Sequence, residues 1–324
     1  MRRYKWGIIT AGKMSAKFVQ ALQCLEHAEL YAVGARDVAR AKLFAEAYGI
    51  KKYYGSYQEL ASDPEVEIVY IASPHSCHYE HTMLCLANGK AVLCEKAFAL
   101  HALDVQRMVG EAQRQNRFLM EALWPPFQPL YKKAKEWLLQ GAIGKLIHID
   151  AKFGFQPPYD PSNRKFDLSL GGGSLLDIGI YPIHDVLYFM GVPDRVSAQA
   201  TFTDRGVEQS IHILFGFHSG QTATVLSSYQ IDAGIGCTLY GEKGNIVFMR
   251  RRDMSQYVSL CVHGEALVEY SDIPEGMGYH FEAQEAMRCL EEGGIESPVV
   301  PHAYSLALMG IMDRVRGVVG VVFP

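Results

Sequence analysis

The chain has 324 residues and a formal net charge of −4, and hydrophobic residues make up 49% of it. The small negative charge and the sequence pI near 6.3 exclude the broad basic surface by which proteins bind nucleic acid or anionic membranes. The length exceeds that of one ordinary compact core, so two domains are expected.

Cysteine usage and hydropathy indicate the compartment. The seven cysteines are odd in number and form no Cys-x-x-Cys pair, which favours a reducing compartment over a disulfide scaffold. The first apolar run, from Trp6 to Gly12, is too short for an export signal, and no window has the length of a membrane span. We therefore expect a cytoplasmic protein with neither a membrane nor a nucleic-acid partner.

The first predicted unit is a strand at residues 4–10, a turn and a helix. A dinucleotide-binding fingerprint would place glycines at positions 10, 12 and 15, where this chain has Thr10, Gly12 and Ser15. Gly12 is the glycine whose missing side chain lets a pyrophosphate approach the backbone. A structural turn without a ligand is the alternative. The residues expected to contact a dinucleotide here are Ala11, Gly12, Lys13 and Met14.

The second predicted strand, Leu30–Ala35, ends without the acidic residue that an NAD enzyme usually places there for the ribose 2′-hydroxyl. Arg36 follows directly and Arg40 lies one helical turn further, and two guanidinium groups suit a 2′-phosphate. We therefore predict NADP rather than NAD, with Arg36, Asp37 and Arg40 at the cofactor. The alternative is a pair of solvated arginines at the start of a surface helix that Asp37 caps.

Two further strands are predicted at residues 66–72 and 91–94, and both are apolar, as strands covered on two faces must be. Open α/β sheets bind ligands at the carboxyl ends of their strands. The groups that follow these two strands, and that we expect to face the nicotinamide, are Ser73, Pro74, His75, His78, Glu95 and Lys96. The imidazole and thiol groups of residues 75–81 turn away from one another on a helix, so no metal site is predicted.

Lys96 has the most direct chemical use in this group. Its positive charge favours the ionised form of a neighbouring phenol, whose ordinary pKa of about 10 is too high for a base at neutral pH. The alternative is a structural lysine that pairs with Glu95.

A predicted helix at 101–116 and a strand at 118–122 complete the first domain, because Pro125 and Pro126 end the strand pattern. We place a dinucleotide-binding domain at residues 1–123 and a substrate-binding and oligomerisation domain at residues 124–324. Trp124 would be an aromatic wall where the two domains join.

The segment Gly171–Asp185 is where we expect the chemistry. Ser174 can cap a helix on which Asp177 and Tyr181, four residues apart, share one face. His184 lies close to the same stripe. An acid, a phenol and an imidazole on one side of an otherwise apolar helix are costly to bury without a function. A core helix with incidental polar residues is the alternative.

The rest of the second half is predicted to be mainly β-structure. A helix at 130–140 and a strand at 145–155 precede a proline-containing loop at 156–170, which could be a lid or a connector. Apolar residues on both faces of several strands predict a sheet that is covered on both sides. We expect helices on one face and a second copy of the chain, forming a homodimer, on the other. A monomer with a half-polar sheet is the alternative. The strands are expected near 195–203, 208–217, 221–229, 236–241, 244–249 and 256–270.

Three strings of residues together resemble the Gfo/Idh/MocA family over nearly the whole length: Glu95-Lys96, Met120 to Trp124, and Gly171 to Tyr181. The chain is most similar to the dimeric dihydrodiol dehydrogenase branch of that family. The resemblance implies an amino-terminal Rossmann doubly wound sheet followed by a carboxyl-terminal open, mainly antiparallel β-sheet domain.

The resemblance also implies roles for individual residues. Lys96 matches the family's catalytic-site lysine, Tyr181 its general acid/base, and Asp177 its substrate-binding partner. Trp124 and Phe153 match aromatic pocket positions. The family's Glu-Lys-Pro is replaced by Glu-Lys-Ala here, which removes the residue that stiffens the turn after Lys96.

We therefore expect reversible hydride transfer between NADP and a sugar such as D-xylose or D-glucose, or a cyclic trans-dihydrodiol. A regulator that senses the dinucleotide without turnover is one alternative. A redox-neutral sugar enzyme with a tightly held cofactor is another.

Overall fold

A computed structural model describes residues 2–250, 256–271 and 278–324. The chain forms two compact units: the first comprises Met1–Phe127 with Glu275–Leu306, and the second Gln128–Pro274 with Ala307–Pro324. Within the described ranges, none of the helices combines the length and the apolar character that crossing a bilayer needs.

The first unit contains a six-stranded sheet whose neighbouring strands all run parallel, in the order β3-β2-β1-β4-β5-β6. This order is that of the doubly wound Rossmann sheet, so the predicted fold of the amino-terminal half is confirmed. The strands are β1 (Tyr4–Ile9), β2 (Ala28–Gly34), β3 (Lys52–Tyr54), β4 (Ile68–Ile71), β5 (Ala91–Glu95) and β6 (Leu119–Ala122).

Helices connect these strands and bury their apolar sides. Every residue of β4, β5 and β6 is buried, as expected for strands that have a layer of helices on each face. The helix after β1 buries Phe18, Val19 and Leu22, which form an apolar stripe along one side of it. The helices of this unit are α1 (Lys13–Gln23), α2 (Val38–Tyr48), α3 (Tyr57–Ser62), α4 (His78–Ala87), α5 (Ala102–Gln115) and α8 (Tyr279–Glu291).

The second unit contains an eight-stranded sheet in the order β14-β13-β12-β11-β7-β10-β9-β8. Among the described residues of this second sheet, β7 and β10 are the one parallel pair, so the expected mainly antiparallel sheet is confirmed. Its strands are β7 (Leu146–Gly154), β8 (Arg195–Phe202), β9 (Glu208–Gly216), β10 (Thr222–Ser228), β11 (Gly234–Gly241), β12 (Gly244–Arg250), β13 (Gln256–Val262) and β14 (Val268–Tyr270).

The two faces of this sheet differ. One face buries Ile149, Ala151 and Phe215, and α7 (Ile180–Met190) packs on it through contacts with β7 and β10. The opposite face carries Leu214 and Tyr240, which are 49% and 40% exposed. The remaining helices are α6 (Pro129–Leu139) and α9 (His302–Val319).

Candidate active site

The turn after β1 keeps a dinucleotide-binding backbone although two of its three glycines are missing. Thr10 has a φ of +79°, the left-handed conformation that usually requires glycine. Its hydroxyl lies 3.0 Å from the hydroxyl of Ser15, so the two substituted positions contact each other. Thr10 also donates to the carbonyl of Ala72 at the end of β4.

Gly12 precedes the first turn of α1 and provides no side chain to cap it. The amide groups of Lys13 and Met14 therefore lie at an uncapped helix start, where a phosphate binds well. Among the described residues, a methyl group on Gly12 would meet only the Thr10 hydroxyl, at an ordinary 3.7 Å. Packing within the chain thus does not require glycine here, whereas close approach of a ligand would.

The residues after β2 divide between a helix cap and two exposed cations. The Asp37 carboxylate accepts a hydrogen bond from the amide of Ala39 and so caps α2, as the structural alternative expected. Arg40 donates to the carbonyl of Ala11 at 3.1 Å, which places this guanidinium beside the fingerprint turn. Arg36 is exposed. The predicted cations are therefore present and exposed, while Asp37 is committed to the helix.

The polar groups after β4 hold each other in place. The hydroxyl of Ser73 contacts Nδ1 of His81 at 2.9 Å. His78 is fully buried, and its ring nitrogens contact the carbonyl oxygens of Ser73 and Ala97 at 2.8 and 2.7 Å. We expected the His78 side chain to face the cofactor. It instead ties the end of β4 to the segment after β5.

Pro74 and His75 lie between these contacts. The buried His75 ring packs edge-on against His78, with the ring centroids 5.7 Å apart. Within the described part of the chain, no group of three or more His, Cys, Asp or Glu side chains is arranged to hold a metal ion.

Glu95 and Lys96 occupy the end of β5. Glu95 is buried and accepts the hydroxyl of Tyr70 at 2.5 Å and the amide of Lys96 at 3.2 Å. Lys96 is half-buried, and the peptide bond between Lys96 and Ala97 is cis. The lysine for which the family resemblance implies a catalytic role therefore lies just after the end of strand β5.

Two more carboxyls lie close to this strand end, and sequence analysis did not predict them. Glu121 accepts the amide of Phe98 at 3.1 Å, and Glu282 of α8 interacts electrostatically with both Glu95 and Glu121. Burial raises the pKa of Glu121 to about 7 and that of Glu282 well above its ordinary value. Trp124, the predicted aromatic wall, packs edge-on against Tyr279 at 6.4 Å.

In the second unit, the predicted capped helix begins differently from our expectation. Leu175–Gly179 forms a π-helical turn that leads into α7 at Ile180. Ser174 does not cap this segment, because its hydroxyl donates to the carbonyl of Ser227 in β10, at 3.5 Å. The predicted role of Ser174 is therefore wrong. Asp177 lies in the π-helical turn and Tyr181 in the first turn of α7.

Asp177 is buried and has several partners. Arg164 donates to its Oδ1 at 3.2 Å, Lys165 forms an ion pair with its Oδ2, and the hydroxyl of Tyr229 donates to the same oxygen at 2.7 Å. Two cations and a phenol stabilise the ionised form of this acid. Burial of the Tyr229 ring, and then the negative charge of Asp177 beside its hydroxyl, raise the pKa of Tyr229 well above the ordinary value.

Glu208 holds the backbone of the glycine-rich segment 171–179 in place, a role that the sequence did not predict. Its carboxylate accepts the amide of Leu175 at 2.8 Å. Gly173 has a φ of +122°, and a Cβ there would lie 2.1 Å from the Glu208 oxygens. Gly179 is also restricted, because a Cβ would lie 3.0 Å from Ser227. These contacts explain why the segment that carries Asp177 is rich in glycine.

Tyr181 is half-buried and its ring lies 5.8 Å from that of Phe153. The structure thus brings these two predicted substrate-binding residues together. His184 is fully buried, 5.7 Å from the ring of Tyr131, and burial lowers its pKa to about 3. We conclude that His184 packs in the core and does not join the predicted reactive stripe.

The predicted site residues therefore form two groups. The cofactor residues, Lys96 and Trp124 belong to the first unit, and Phe153, Asp177 and Tyr181 belong to the second. The meeting of Lys96 with Tyr181 stays a prediction.

Comparison with known proteins finds a family model for each half of the chain. Residues 4–123 match the model of the oxidoreductase family with an NAD-binding Rossmann fold, and residues 131–247 match the Gfo/Idh/MocA carboxyl-terminal domain. The chain is 38% identical over 336 residues to trans-1,2-dihydrobenzene-1,2-diol dehydrogenase of Mus musculus, covering 99% of this chain and 98% of that protein.

Solved structures share the fold over nearly the whole length. Aldose-aldose oxidoreductase from Caulobacter crescentus gives a TM-score of 0.87 at 24% identity, covering 98% of this chain and 97% of that one. The 3-ketoreductase KijD10 from Actinomadura kijaniata, in complex with NADP and TDP-benzene, gives 0.88 at 23% identity and covers 98% of each chain. The chain belongs to the Gfo/Idh/MocA family of oxidoreductases, as its motifs indicated.

Proposed function

We propose that the protein transfers hydride reversibly between NADP and a secondary or hemiacetal hydroxyl of a sugar or a cyclic trans-dihydrodiol. The observation that carries the proposal is the buried Asp177 with its two cations, followed four residues later by Tyr181 packed on Phe153, in a chain that is 38% identical to a dihydrodiol dehydrogenase. A carboxylate that accepts hydroxyl hydrogens and an aromatic surface that packs on a ring are what such substrates require.

The residues of the first unit fit a dinucleotide. The uncapped start of α1, at Lys13 and Met14, and the space beside Gly12 suit a pyrophosphate. The exposed Arg36 and Arg40 suit a 2′-phosphate, which supports NADP over NAD. When bound, the nicotinamide supplies the hydride acceptor and donor. Ser73, Pro74, His75 and Glu95 would line its nicotinamide half, with Ala11 at the pyrophosphate.

The protein's own residues then handle the proton and the orientation of the substrate. Tyr181 removes the hydroxyl proton during oxidation and returns it during reduction. Lys96 provides the positive charge that favours the phenolate. Asp177, held by Arg164 and Lys165, accepts a hydrogen bond from a second hydroxyl and so positions the ring.

The Tyr181→Phe variant tests this assignment. We expect NADPH binding, followed by the change in nicotinamide fluorescence, to stay within about twofold of the unmodified protein, while turnover of D-xylose, D-glucose and a trans-dihydrodiol falls by about 100-fold or more. Tyr53→Phe, an exposed tyrosine of β3, is the matched control. Equal turnover by the two variants would refute the role of Tyr181.

The preference for NADP has its own test. We expect Arg36→Ala with Arg40→Ala to raise the KM for NADP by about tenfold or more and to leave the KM for NAD within about twofold, because only NADP carries the 2′-phosphate. An equal change for both dinucleotides would show that the arginines serve only the fold.

We also propose a homodimer through the open face of the carboxyl-terminal sheet. Leu214, Tyr240 and Met249 lie on this face and are each at least 40% exposed. Register places them among polar neighbours such as His148 and Thr224. Sedimentation of the full chain should give a dimer mass that Leu214→Glu converts to a monomer mass. A monomer in the unmodified protein would overturn this proposal.

Two further assignments complete the proposal. The dinucleotide-binding domain is assigned to residues 1–123, to which Glu275–Leu306 are added in the first compact unit, and the substrate and oligomerisation domain to the rest of residues 124–324. All seven cysteines are free thiols, which supports a reducing, cytoplasmic location.

A further inference from the structure

A cavity of about 570 Å³ opens beside the carboxylate site in the second unit. Its volume falls in the range of ordinary small-molecule sites. The proposed hydride-transfer mechanism assigns no role to the side chains that line this cavity. The six that matter here are the aromatic rings of Tyr159, Phe166 and Tyr229 and the amide side chains of Gln156, Gln209 and Gln230.

The aromatic rings form a connected wall. Tyr159 packs edge-on against Phe166 with centroids 5.0 Å apart, and Phe166 packs edge-on against Tyr229 at 5.7 Å. The hydroxyl of Tyr159 donates to Asp204 at 2.6 Å, which anchors the outer end of the wall. The wall is therefore preorganised, and a ligand that packs on it loses little free energy to side-chain ordering.

Tyr229 links this cavity to the substrate carboxylate. Its ring lines the cavity, while its hydroxyl donates to Asp177 Oδ2 at 2.7 Å. A molecule bound in the cavity is thus one side chain away from the acid that we expect to hold the reacting ring.

The amide groups supply hydrogen bonds that the protein itself does not use. The Oε1 atom of Gln230 accepts the hydroxyl of Thr201 at 2.6 Å, which leaves the amide nitrogen as a donor. Within the described ranges, neither that nitrogen nor the side chains of Gln156 and Gln209 have a hydrogen-bond partner in the protein. The amide of Tyr229 donates to the carbonyl of Gln209 at 2.7 Å, so Gln209 is held by its backbone beside the wall.

The uncharged lining limits the kinds of ligand that the cavity can bind. None of its lining residues carries a formal charge, and the nearby cation of Lys165, 5.3 Å from the centre of the Tyr229 ring, is already paired with Asp177. A charged ligand group would therefore find no unpaired counter-charge in the lining. A neutral ring with hydroxyl groups matches both surfaces, because its C–H face packs on aromatic rings and its hydroxyls bond to planar amides.

We propose that this cavity binds a second sugar ring, glycosidically linked to the ring that is oxidised at Asp177 and Tyr181. The physiological substrate is then a disaccharide or a larger glycoside. This inference rests on the proposed function, which it makes more specific.

The first test compares turnover of D-glucose and D-xylose with that of cellobiose, maltose and xylobiose. We expect kcat/KM for at least one disaccharide to exceed that of its monosaccharide by about tenfold or more. The double variant Gln209→Ala with Gln230→Ala should lower that disaccharide's kcat/KM by about tenfold and leave the monosaccharide within about twofold, since it removes two hydrogen bonds to the second ring only.

The matched control is Gln106→Ala with Gln113→Ala, two exposed glutamines on α5 of the first unit. It should change neither substrate. Provided that the monosaccharides are turned over, the inference is overturned if no disaccharide is preferred, or if the cavity variant lowers monosaccharide and disaccharide turnover equally.

A binding measurement separates this inference from the proposed function. NADPH already carries a hydride and cannot accept a second one, so a sugar alcohol group is not oxidised in its presence. Saturation-transfer NMR with NADPH therefore reports binding alone. We expect signals from both rings of the preferred disaccharide, and loss of the second ring's signals in the cavity variant but not in the control. If no sugar is turned over, the proposed function fails, yet the same NMR result still supports a sugar-binding cavity. The cavity is ruled out as a sugar site if no disaccharide binds, or if the cavity variant leaves the disaccharide signals unchanged.

Discussion

Asp177 in the second unit and the pair Glu121 and Glu282 in the first are all buried acids, but their charge is dealt with in different ways. In the second unit, Asp177 contacts the cations of Arg164 and Lys165 and the hydroxyl of Tyr229. In the first unit, Glu121 and Glu282 are buried, and within the described residues no cation forms an ion pair with either. A carboxyl buried among cations stays ionised, whereas one buried beside other carboxyls stays protonated near neutral pH.

The difference teaches what each acid can do. Asp177 offers a charged acceptor of fixed position, as a substrate hydroxyl requires. Glu121 and Glu282 interact electrostatically with Glu95 at the end of β5, next to Lys96, and the charge of Lys96 lowers the pKa of Glu121 less than burial raises it. Protonated carboxyls offset the positive charge of Lys96 less than ionised carboxylates would. The charge of Lys96 therefore remains available to favour the ionised form of a phenol.

The largest effect should come from removing the charge of the ionised acid. We expect Asp177→Asn to lower kcat/KM for sugars by about 100-fold or more, or about 3 kcal/mol, because it removes the acceptor and leaves two cations without their counter-charge. Steady-state kinetics check this. Asp232→Asn, an exposed acid of the same unit, is the control, and equal kcat/KM in the two variants would contradict the role given to Asp177.

The second prediction changes the close contact between Gly173 and Glu208, which holds the segment that carries Asp177. Gly173→Ala should destabilise the second unit by about 3 kcal/mol or more, because its Cβ would lie 2.1 Å from the Glu208 carboxylate. Gly206→Ala is the control: it shares a positive φ but has open space around it among the described residues, so about 1 kcal/mol is expected. Urea unfolding followed by circular dichroism measures both, and similar losses would mean that Glu208 yields easily.

The neutral acids of the first unit predict a pH effect. Burial raises the pKa of Glu121 to about 7, while an unfolded glutamate has its ordinary value near 4.5. The folded protein therefore binds more protons between these values, and its free energy of unfolding falls as pH rises through that window, then levels off. Urea unfolding at pH 5 and pH 8 should show that Glu121→Gln removes about 2 kcal/mol of this fall.

The control for that measurement is Glu80→Gln, which changes an exposed glutamate of the same unit. It should leave the pH dependence unchanged. If the free energy of unfolding changes equally with pH in Glu121→Gln and in the unmodified protein, Glu121 is ionised in the folded state. The contrast between Glu121 and Asp177 would then disappear.

The smallest effect concerns the phenol that bonds to the ionised acid. Tyr229→Phe removes one hydrogen bond to Asp177 and leaves both cations in place. We expect kcat/KM to fall by about fivefold, or about 1 kcal/mol, with little change in stability. A loss as large as that of Asp177→Asn would mean that the phenol, and not the cations, holds the acid in its working state.

The sequence predicted the fold because the fold depends on local patterns. The apolar runs of β4 and β5 and the turn at Gly12 indicated a Rossmann sheet, and apolar residues on both faces of several strands indicated the second sheet. The segment predicted as one strand at 256–270 is divided by a turn into β13 and β14.

The site was predicted in part, for a physical reason. Asp177 and Tyr181 stand out because polar residues interrupt an apolar, glycine-rich segment. Glu208, Tyr229 and Glu282 contact the site from 33 or more residues away in the chain, and no local pattern marks such partners. Ser174 was misassigned because its hydroxyl found a carbonyl in another strand.

The π-helical turn at Leu175–Gly179 makes this short stretch unusually sensitive to length. A π-turn contains one residue more than an α-turn spans, and each residue of an α-helix adds about 100° of rotation. Deleting one residue there would let the turn close as ordinary α-helix and swing Asp177 about a quarter-circle relative to α7. Homologues should therefore tolerate substitutions in this stretch far better than insertions or deletions.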